Sequence, residues 1–175
     1  ETGKNNIDYE TVEKFLQSEN EQIRKAAINS LVVLDKERSV AKLLALMLDE
    51  SISVASAARK GLAKCCRFIE SEELWRLYSA NKNAKIKYGI LRIIGTLPKW
   101  DRLGYCLLAC KNDDENIRKL ALEILLAWQQ KYGGSWKFTR ATTIQKERIK
   151  LAAPLVSGII SGRKFQDLHM VIDSI

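Results

Sequence analysis

The amino-acid sequence predicts an all-α protein, a right-handed α-solenoid of helical hairpins with an irregular C-terminal helical cap. Similar segments recur every 31 or 32 residues, each with apolar side chains at helical spacing. Shorter amphipathic stretches separate these segments, so each repeat is predicted to be a helix–turn–helix hairpin that stacks on its neighbours. A composition of 46% hydrophobic and 29% charged residues favours one soluble domain that is folded almost throughout.

The repeat is anchored by one apolar residue near the start of each segment. Ile23, Val54, Ile86 and Ile117 are these anchors, and they lie 31, 32 and 31 positions apart. Residues three, four and eight positions further on share a helix face with the anchor. The face predicted to be buried is Ile23, Ala26, Ala27, Leu31 and Leu34 in the first copy, and Ile117, Leu120, Ala121, Ile124, Leu125 and Trp128 in the last.

Capping signals mark where several helices are predicted to begin. Ser18, Asn112 and Thr142 each precede a glutamate or glutamine by three residues, which is the spacing of a capping box. The acidic runs 72–73 and 113–115 fall in first turns, where negative charge offsets the helix dipole. The second helices of the hairpins are predicted at residues 39–48, 71–79 and 99–109.

An Ile-Arg-Lys run near a helix start, followed by leucine at this spacing, resembles the short HEAT-like repeats. Residues 23–25 and 117–119 carry the run, Ile86–Lys87 carries part of it, and Val54–Ala55 lacks the basic residue. The resemblance covers about residues 8–130. It implies parallel second helices that line a concave surface and hold another macromolecule. The arginines have a structural use as well, since Arg24 and Arg118 can bind carboxylates of an adjoining hairpin.

Three segments are predicted along the chain. Residues 1–7 are assigned to an expression-vector remnant and an N-terminal tail, because Glu-Thr-Gly opens the sequence. Residues 8–130 hold the HEAT-like repeats, and residues 131–175 form a loop and capping helices of the same domain, near 143–157 and 163–173. Alternatively, the sequence ends inside a longer protein, with Met170, Val171, Ile172 and Ile175 as a surface for another repeat.

The sequence predicts no enzyme, no cofactor and no metal site. His169 is the single histidine, so neither a catalytic triad nor a histidine-bearing metal site has its usual residues. The four cysteines, Cys65, Cys66, Cys106 and Cys110, are expected to be reduced and to serve as small core residues. No phosphate-binding glycine motif is present.

No apolar run reaches the roughly 20 residues that span a bilayer. The sequence therefore predicts no membrane span. Cytoplasmic placement is the default, because no targeting signal is readable.

Positive charge is concentrated in the second half of the chain. Residues 1–80 carry 12 basic and 13 acidic side chains, whereas residues 81–175 carry 17 and 8, which gives +8 in total. Aromatic residues interleave with this charge, notably Tyr88, Trp100, Tyr105 and Trp136, as in surfaces that bind nucleic acid. The candidate contacts to a partner or to phosphate are Lys82, Lys85, Lys87, Arg92, Lys99, Arg102, Trp136, Lys137 and Arg140.

The predicted function is a non-catalytic scaffold that binds a protein partner on the concave helical surface. The alternative is nucleic-acid binding through the basic second half. Its enzymatic variant follows from a similarity of the repeats to those of the DNA alkylation-repeat glycosylases, with Trp100–Asp101 as an aromatic beside a carboxylate. The same acid is also explained as a helix-start residue. The sequence sets no oligomeric state.

Overall fold

The computed structural model describes residues 2–65, 68–160 and 162–175, with side chains from Asp8 onward. Within these residues the chain forms ten α-helices and no strand, which confirms the all-α class. The α-helices are α1 (Thr2–Lys14), α2 (Glu21–Leu34), α3 (Lys36–Leu46), α4 (Ile52–Cys65), α5 (Ser71–Ala80), α6 (Ala84–Ile94), α7 (Lys99–Ala109), α8 (Glu115–Tyr132), α9 (Thr143–Val156) and α10 (Gln166–Asp173). Short 3₁₀ turns lie at Phe15–Gln17, Trp136–Phe138 and Arg163–Phe165.

The helices group into two compact units, Glu1–Leu74 and Trp75–Ile175, and the division falls within α5. In the first unit, α2 packs against α1, α3 and α4, and α3 packs against α4. In the second unit, α6 packs against α7 and α8, α7 packs against α8 and α9, and α10 packs against α9. Within each unit, therefore, helices that lie one repeat apart in the sequence are direct neighbours.

A glycine permits the closest approach in the first unit. Gly61 lies on the buried face of α4, together with Val54, which is fully buried. A Cβ atom at Gly61 would stand 3.1 Å from Cγ2 of Val32 on α2 and 3.2 Å from Cδ2 of Leu43 on α3. These distances are shorter than most Cβ contacts, so Val32 and Leu43 would have to shift by a few tenths of an ångström to admit a side chain.

The second unit is built around large side chains from α6, α7 and α8. Trp128 and Leu103 are wholly buried there, and Tyr105 is 1% exposed. Cys106 and Cys110 lie in this core too, which confirms their predicted role as core residues, and Cys65 is likewise buried. Burial raises the pKa of the Cys110 thiol to about 12, so this thiol is protonated and unreactive at neutral pH. Cys66 lies outside the described residues.

The helix starts repeat with the period predicted from the sequence. The side chains of Asn20, Ser51, Asn83 and Asp114 each accept a hydrogen bond from a backbone N–H in the first turn of the following helix. These four caps lie 31, 32 and 31 residues apart. Each repeat anchor stands three residues after its cap, so the anchors mark equivalent positions on four helices.

A second hydrogen bond precedes every cap with the same period. The backbone N–H of each cap residue donates to a side-chain oxygen two residues earlier. These four acceptors are Ser18, Asp49, Asn81 and Asn112. The entry to each helix is thus a two-step polar turn, which satisfies N–H groups that the helix itself leaves unpaired.

Two predicted caps were wrong by two residues. Ser18 and Asn112 hold the preceding turn, while the caps themselves are Asn20 and Asp114. At each site two short polar residues lie two positions apart, Ser18 and Asn20 or Asn112 and Asp114. Residues of either type are common helix caps, so the sequence does not distinguish them. The third prediction is confirmed, since Thr142 and Gln145 form a reciprocal capping box at the start of α9.

Removing one cap should have a modest and local effect. Asp114 accepts from Asn116 N at 2.8 Å and from Ile117 N at 3.1 Å, so we expect Asp114→Ala to lower the free energy of unfolding by about 1 kcal/mol. Urea unfolding followed by tryptophan emission measures this change. Asp113→Ala removes an adjacent exposed carboxylate and is the control. Equal losses in the two variants would contradict the cap assignment.

The predicted buried faces are partly confirmed. In the last copy Ile117, Ala121, Leu125 and Trp128 are buried as expected, and Leu120 and Ile124 are half-buried.

In the first copy Ala27 and Leu31 are buried, but Ile23 is 41% exposed and Ala26 is exposed. Arg24 lies on the buried face of α2, and its guanidinium binds the carbonyls of Ser18 and Glu19. This hydrogen bonding draws the arginine inward, and the anchor before it faces solvent.

Arg24 and Arg118 secure the turns before their helices. Arg118 Nη1 donates to the carbonyls of Asn112 and Asp113 at 2.8 and 2.7 Å, as Arg24 does to its own turn. Arg24 also forms a two-point ion pair with Asp49, at 3.0 and 2.9 Å. The predicted contact with an adjoining hairpin is therefore confirmed for Arg24. This pairing raises the pKa of Arg24.

The termini of the second unit differ in detail from the prediction. Helix α8 continues to Tyr132, past the predicted loop start at residue 131. The segment 163–173 is a 3₁₀ turn followed by α10 rather than one helix. Val171 is already buried, so it is not part of an open surface, whereas Met170 is 51% exposed.

The start of the first unit also differs from the prediction. The chain is helical from Thr2, inside the segment predicted to be a tail.

Candidate binding surfaces of the second unit

Four aromatic rings meet where α7 begins and α8 ends. The Trp100 ring lies 6.0 Å from Trp128 and 6.4 Å from Trp136, centroid to centroid, and Trp128 lies 5.6 Å from Tyr132. Tyr132 follows Trp128 by one helical turn, and Gly133 and Gly134 then end the regular helix. We call these rings, with the basic side chains around them described below, the aromatic–cation cluster.

Hydrogen bonds to main-chain carbonyls fix the cluster. Trp128 Nε1 donates to the carbonyl of Lys99 at 2.6 Å, which ties α8 to the start of α7. Trp100 Nε1 donates to the carbonyl of Thr139 at 3.0 Å, and Lys99 Nζ donates to that of Trp136 at 2.8 Å. The 3₁₀ turn at 136–138 is therefore held from both sides by α7.

Basic side chains surround the rings. Three of them lie within 6 Å of the Tyr132 ring centroid: Lys131 at 5.3 Å, Lys99 at 5.7 Å and Arg102 at 5.8 Å. Lys137 lies 5.5 Å from the Trp136 centroid. These are cation–π distances, and such contacts stabilise a cation without neutralising it.

No acidic side chain in the described part of the chain forms an ion pair with the cations of the cluster. Desolvation lowers the pKa of Lys99, because its amine is partly withdrawn from water and has only a carbonyl and aromatic faces beside it. Arg102 likewise binds a main-chain carbonyl, that of Leu97, through Nε and Nη2. The cluster thus carries an excess of positive charge, and hydrogen bonds to carbonyl groups hold Lys99 and Arg102 in place.

The structure brings together four of the nine predicted contact residues and separates the rest. Lys99, Arg102, Trp136 and Lys137 belong to the aromatic–cation cluster. Lys82 and Lys85 are exposed around the start of α6, and Lys87 stands over the Tyr78 ring at 5.2 Å. Arg92 is exposed in the last turn of α6, and Arg140 is exposed between the 3₁₀ turn and α9. Lys131 and Tyr132 were missed, and Trp128 was predicted only as a core residue, although the spacing of the two aromatic residues, four apart and before two glycines, is visible in the sequence.

Asp101 takes part in a structural ion pair. Its side chain is 12% exposed, and the carboxylate accepts hydrogen bonds from Arg148 Nη1 and Gln145 Nε2, each at 2.9 Å. The guanidinium of Arg148 lies 3.9 Å from the Tyr105 ring centroid. Gly104 makes room for it, since a Cβ atom there would stand 2.9 Å from Arg148 Cδ. These contacts link α7 to α9.

Helix α9 carries a second surface of interest, which is apolar. Ile144, Leu151 and Leu155 are 64%, 73% and 51% exposed. Their spacing of seven and four residues places them on one side of the helix, which we call the α9 stripe. The core side of the same helix carries Ile149 and Ala152, both fully buried. The stripe was not predicted from the sequence, in which residues 143–157 are assigned to a cap.

No three His, Cys, Asp or Glu side chains among the described residues stand close enough to hold a metal ion. His169 Nε2 lies 2.9 Å from the carbonyl oxygen of Ile160, where it bridges α10 to the turn after α9. None of the described helices has the length and apolar character needed to cross a bilayer.

Comparison with known proteins gives no relative from which a function could be carried over. No protein-family model matches the chain, and no curated protein sequence is significantly similar to it.

Proposed function

We propose that the chain is a non-catalytic scaffold of HEAT-like hairpins, in the predicted right-handed solenoid, that binds a protein partner through the α9 stripe. The exposed apolar side of α9 is the observation that carries this proposal. Three side chains that are each more than half exposed present on the order of 300–400 Å² of apolar surface, a size at which patches on monomers are often functional. The stripe lies on a helix that the sequence predicts to be a cap, so the proposal places the partner at the C-terminal end of the repeats.

The packing of the second unit supports a helical partner. Helices α7 and α9 pack directly on one another. A partner helix with apolar side chains at positions i, i+4 and i+7 could pack on the α9 stripe in the same manner. The partner would thereby continue a stacking mode that the chain already uses.

The HEAT-like assignment is supported by the repeated helix entries. Four caps and four preceding polar turns keep one period, and the arginine of the Ile-Arg-Lys run secures the turn in two copies. A repeat of this kind gives extended surface without a catalytic centre.

Site-specific photo-crosslinking tests the proposal. A photoreactive amino acid at Leu151 should capture one protein saturably, whereas the same group at Val33, which is 83% exposed on α2, should not capture it. The captured protein is then purified and its affinity measured. We expect Leu151→Ser combined with Leu155→Ser to weaken binding about tenfold or more, because apolar anchors dominate interface energies.

Matched variants make this test specific. Val33→Ser combined with Ile52→Ser removes two exposed apolar side chains from the first unit and should leave the affinity unchanged. Equal weakening by both pairs of substitutions would refute the stripe as the binding surface. If the captured protein is a second copy of the chain, sedimentation should show a dimer that the α9 substitutions dissociate.

Nucleic-acid binding is the second candidate, and the unpaired cations of the aromatic–cation cluster favour it. The aromatic rings that were predicted to stack on bases are only partly accessible. Trp100 is 6% exposed, Tyr105 is 1% exposed, and Trp136 and Tyr88 are half-buried. Fluorescence anisotropy of labelled duplex and single-stranded oligonucleotides across ~50–200 mM salt separates the candidates. The protein-scaffold proposal expects no tight, salt-sensitive binding. Such binding, abolished by Lys82→Glu, Lys85→Glu and Lys87→Glu together, would establish the alternative.

A further inference from the structure

Basic side chains of the chain have two different kinds of surroundings. Arg24 and Arg148, whose side chains are 8% and 12% exposed, each face a carboxylate at 2.9 Å. Lys99, Arg102 and Lys131 instead gather around one tyrosine ring, and the described residues place no carboxylate in an ion pair with any of them. Three like charges that each lie within 6 Å of the same ring centroid repel one another, so an added anion would relieve the repulsion.

We propose that Lys99, Arg102 and Lys131 form a binding site for a phosphate monoester. Lys99 and Arg102 are three residues apart on α7, a spacing that puts their side chains on neighbouring positions of one helix face. Lys131 approaches the same ring from the end of α8. Carbonyl hydrogen bonds hold Lys99 and Arg102 in place, so the anion meets cations that are already ordered.

The charge of the site favours a monoester over a nucleic-acid backbone. A phosphate monoester carries about −1.5 to −2 at neutral pH in a single group, with its second ionisation near pH 6. A phosphodiester carries one negative charge per group and spreads its charge along the strand, which suits a stripe of cations better than three around one ring. The site shares no residue with the α9 stripe and does not depend on the proposed protein partner.

Titration with phenyl phosphate tests the proposal. Phenyl phosphate should bind saturably and shift the backbone amide resonances of Lys99, Arg102 and Lys131 in ¹H–¹⁵N spectra. Its affinity should be several-fold higher at pH 7.5 than at pH 5, because the dianion replaces the monoanion over this range. Phenyl sulfate has a similar shape but one charge at both pH values, so its weaker binding should not change with pH.

Matched substitutions locate the site. Arg102→Gln combined with Lys131→Gln should weaken phenyl phosphate binding about tenfold. Lys82→Gln combined with Lys85→Gln makes the same change in net charge at the start of α6 and should leave binding unchanged. Lys131 is exposed, so Lys131→Gln alone gives a readout if loss of the Arg102 contact to Leu97 impairs folding.

Three outcomes would overturn the proposal. The first is no saturable binding, and the second is equal weakening by both pairs of substitutions, which would indicate diffuse attraction to a basic surface. The third is displacement of phenyl phosphate by an oligonucleotide without terminal phosphates at equal concentration per phosphate group, which would assign the cations to nucleic acid. Retention of binding in the Leu151→Ser, Leu155→Ser protein is expected, and it keeps this result distinct from the scaffold test.

Discussion

Trp128→Ala should lower the free energy of unfolding of the second unit by about 3–5 kcal/mol, the range for truncating a large buried aromatic side chain. Trp128 is fully buried and is the largest side chain in that state. Its removal would leave a cavity between Trp100 and Tyr132. It would also deprive the Lys99 carbonyl of its 2.6 Å hydrogen bond from Nε1.

The experiment has a built-in reporter. Trp100, Trp128 and Trp136 lie well inside the second unit and Trp75 is its first residue, so tryptophan emission during urea unfolding follows the second unit. Circular dichroism reports helices of both units. We expect the emission midpoint to fall strongly in Trp128→Ala, and a loss below about 1 kcal/mol would contradict the assigned core position.

Two further substitutions separate the causes of this loss. Trp128→Phe keeps much of the ring volume but removes the N–H donor, so it should cost clearly less than Trp128→Ala. Trp136→Ala removes a half-buried ring at the edge of the same cluster and should also cost less. If Trp136→Ala proves as damaging as Trp128→Ala, the cluster and not the buried side chain would be the stabilising unit.

Local patterns in the sequence predicted the repeat well, because helix entry is decided by few residues. The anchors Ile23, Val54, Ile86 and Ile117 have the same spacing as the four caps seen in the structure. A cap needs only a short polar side chain next to a helical run, and both are visible without tertiary information. Helix α7 was predicted with the same bounds as observed, Lys99–Ala109.

The errors came from contacts between distant residues. Ile23 was expected to be buried, but the hydrogen bonds of Arg24 to Asp49 and to its own turn rotate that side of α2 outward. The sequence shows that the second half of the chain is basic, but it does not show which basic residues lie together. Lys99 and Lys131 approach each other only because α7 packs on α8. Periodicity identifies a face but does not say what covers it.

The α9 stripe shows a further limit of sequence patterns. Apolar residues occur on both sides of α9, and the sequence alone does not say which side enters the core. Ile149 is buried and Leu151 is 73% exposed, although both are aliphatic residues of one helix. Contacts with α7 go with the observed rotation: Arg148, next to the buried Ile149, binds Asp101.

Asp101→Ala should destabilise the second unit by about 3 kcal/mol or more, because it takes the carboxylate away from a largely enclosed arginine. Asp101 accepts from Arg148 and Gln145 at 2.9 Å each, and the Arg148 guanidinium stacks on Tyr105. Without the carboxylate, the hydrogen bonds that Asp101 on α7 accepts from Arg148 and Gln145 on α9 are lost, and the guanidinium loses the charge that faces it at 2.9 Å. Tryptophan emission during urea unfolding measures the loss.

A double-mutant cycle distinguishes this ion pair from general damage to α7. Asp101→Ala combined with Arg148→Met leaves no enclosed charge, so the double variant should be more stable than Asp101→Ala alone. The exposed pair of Lys119 and Glu115, 2.7 Å apart, is the control, since Lys119→Ala should barely change the midpoint. If the double variant proves less stable than Asp101→Ala, Arg148 stabilises the unit mainly through its stacking on Tyr105. We expect the double variant to be the more stable of the two, because the Arg148 guanidinium is placed directly against the Asp101 carboxylate.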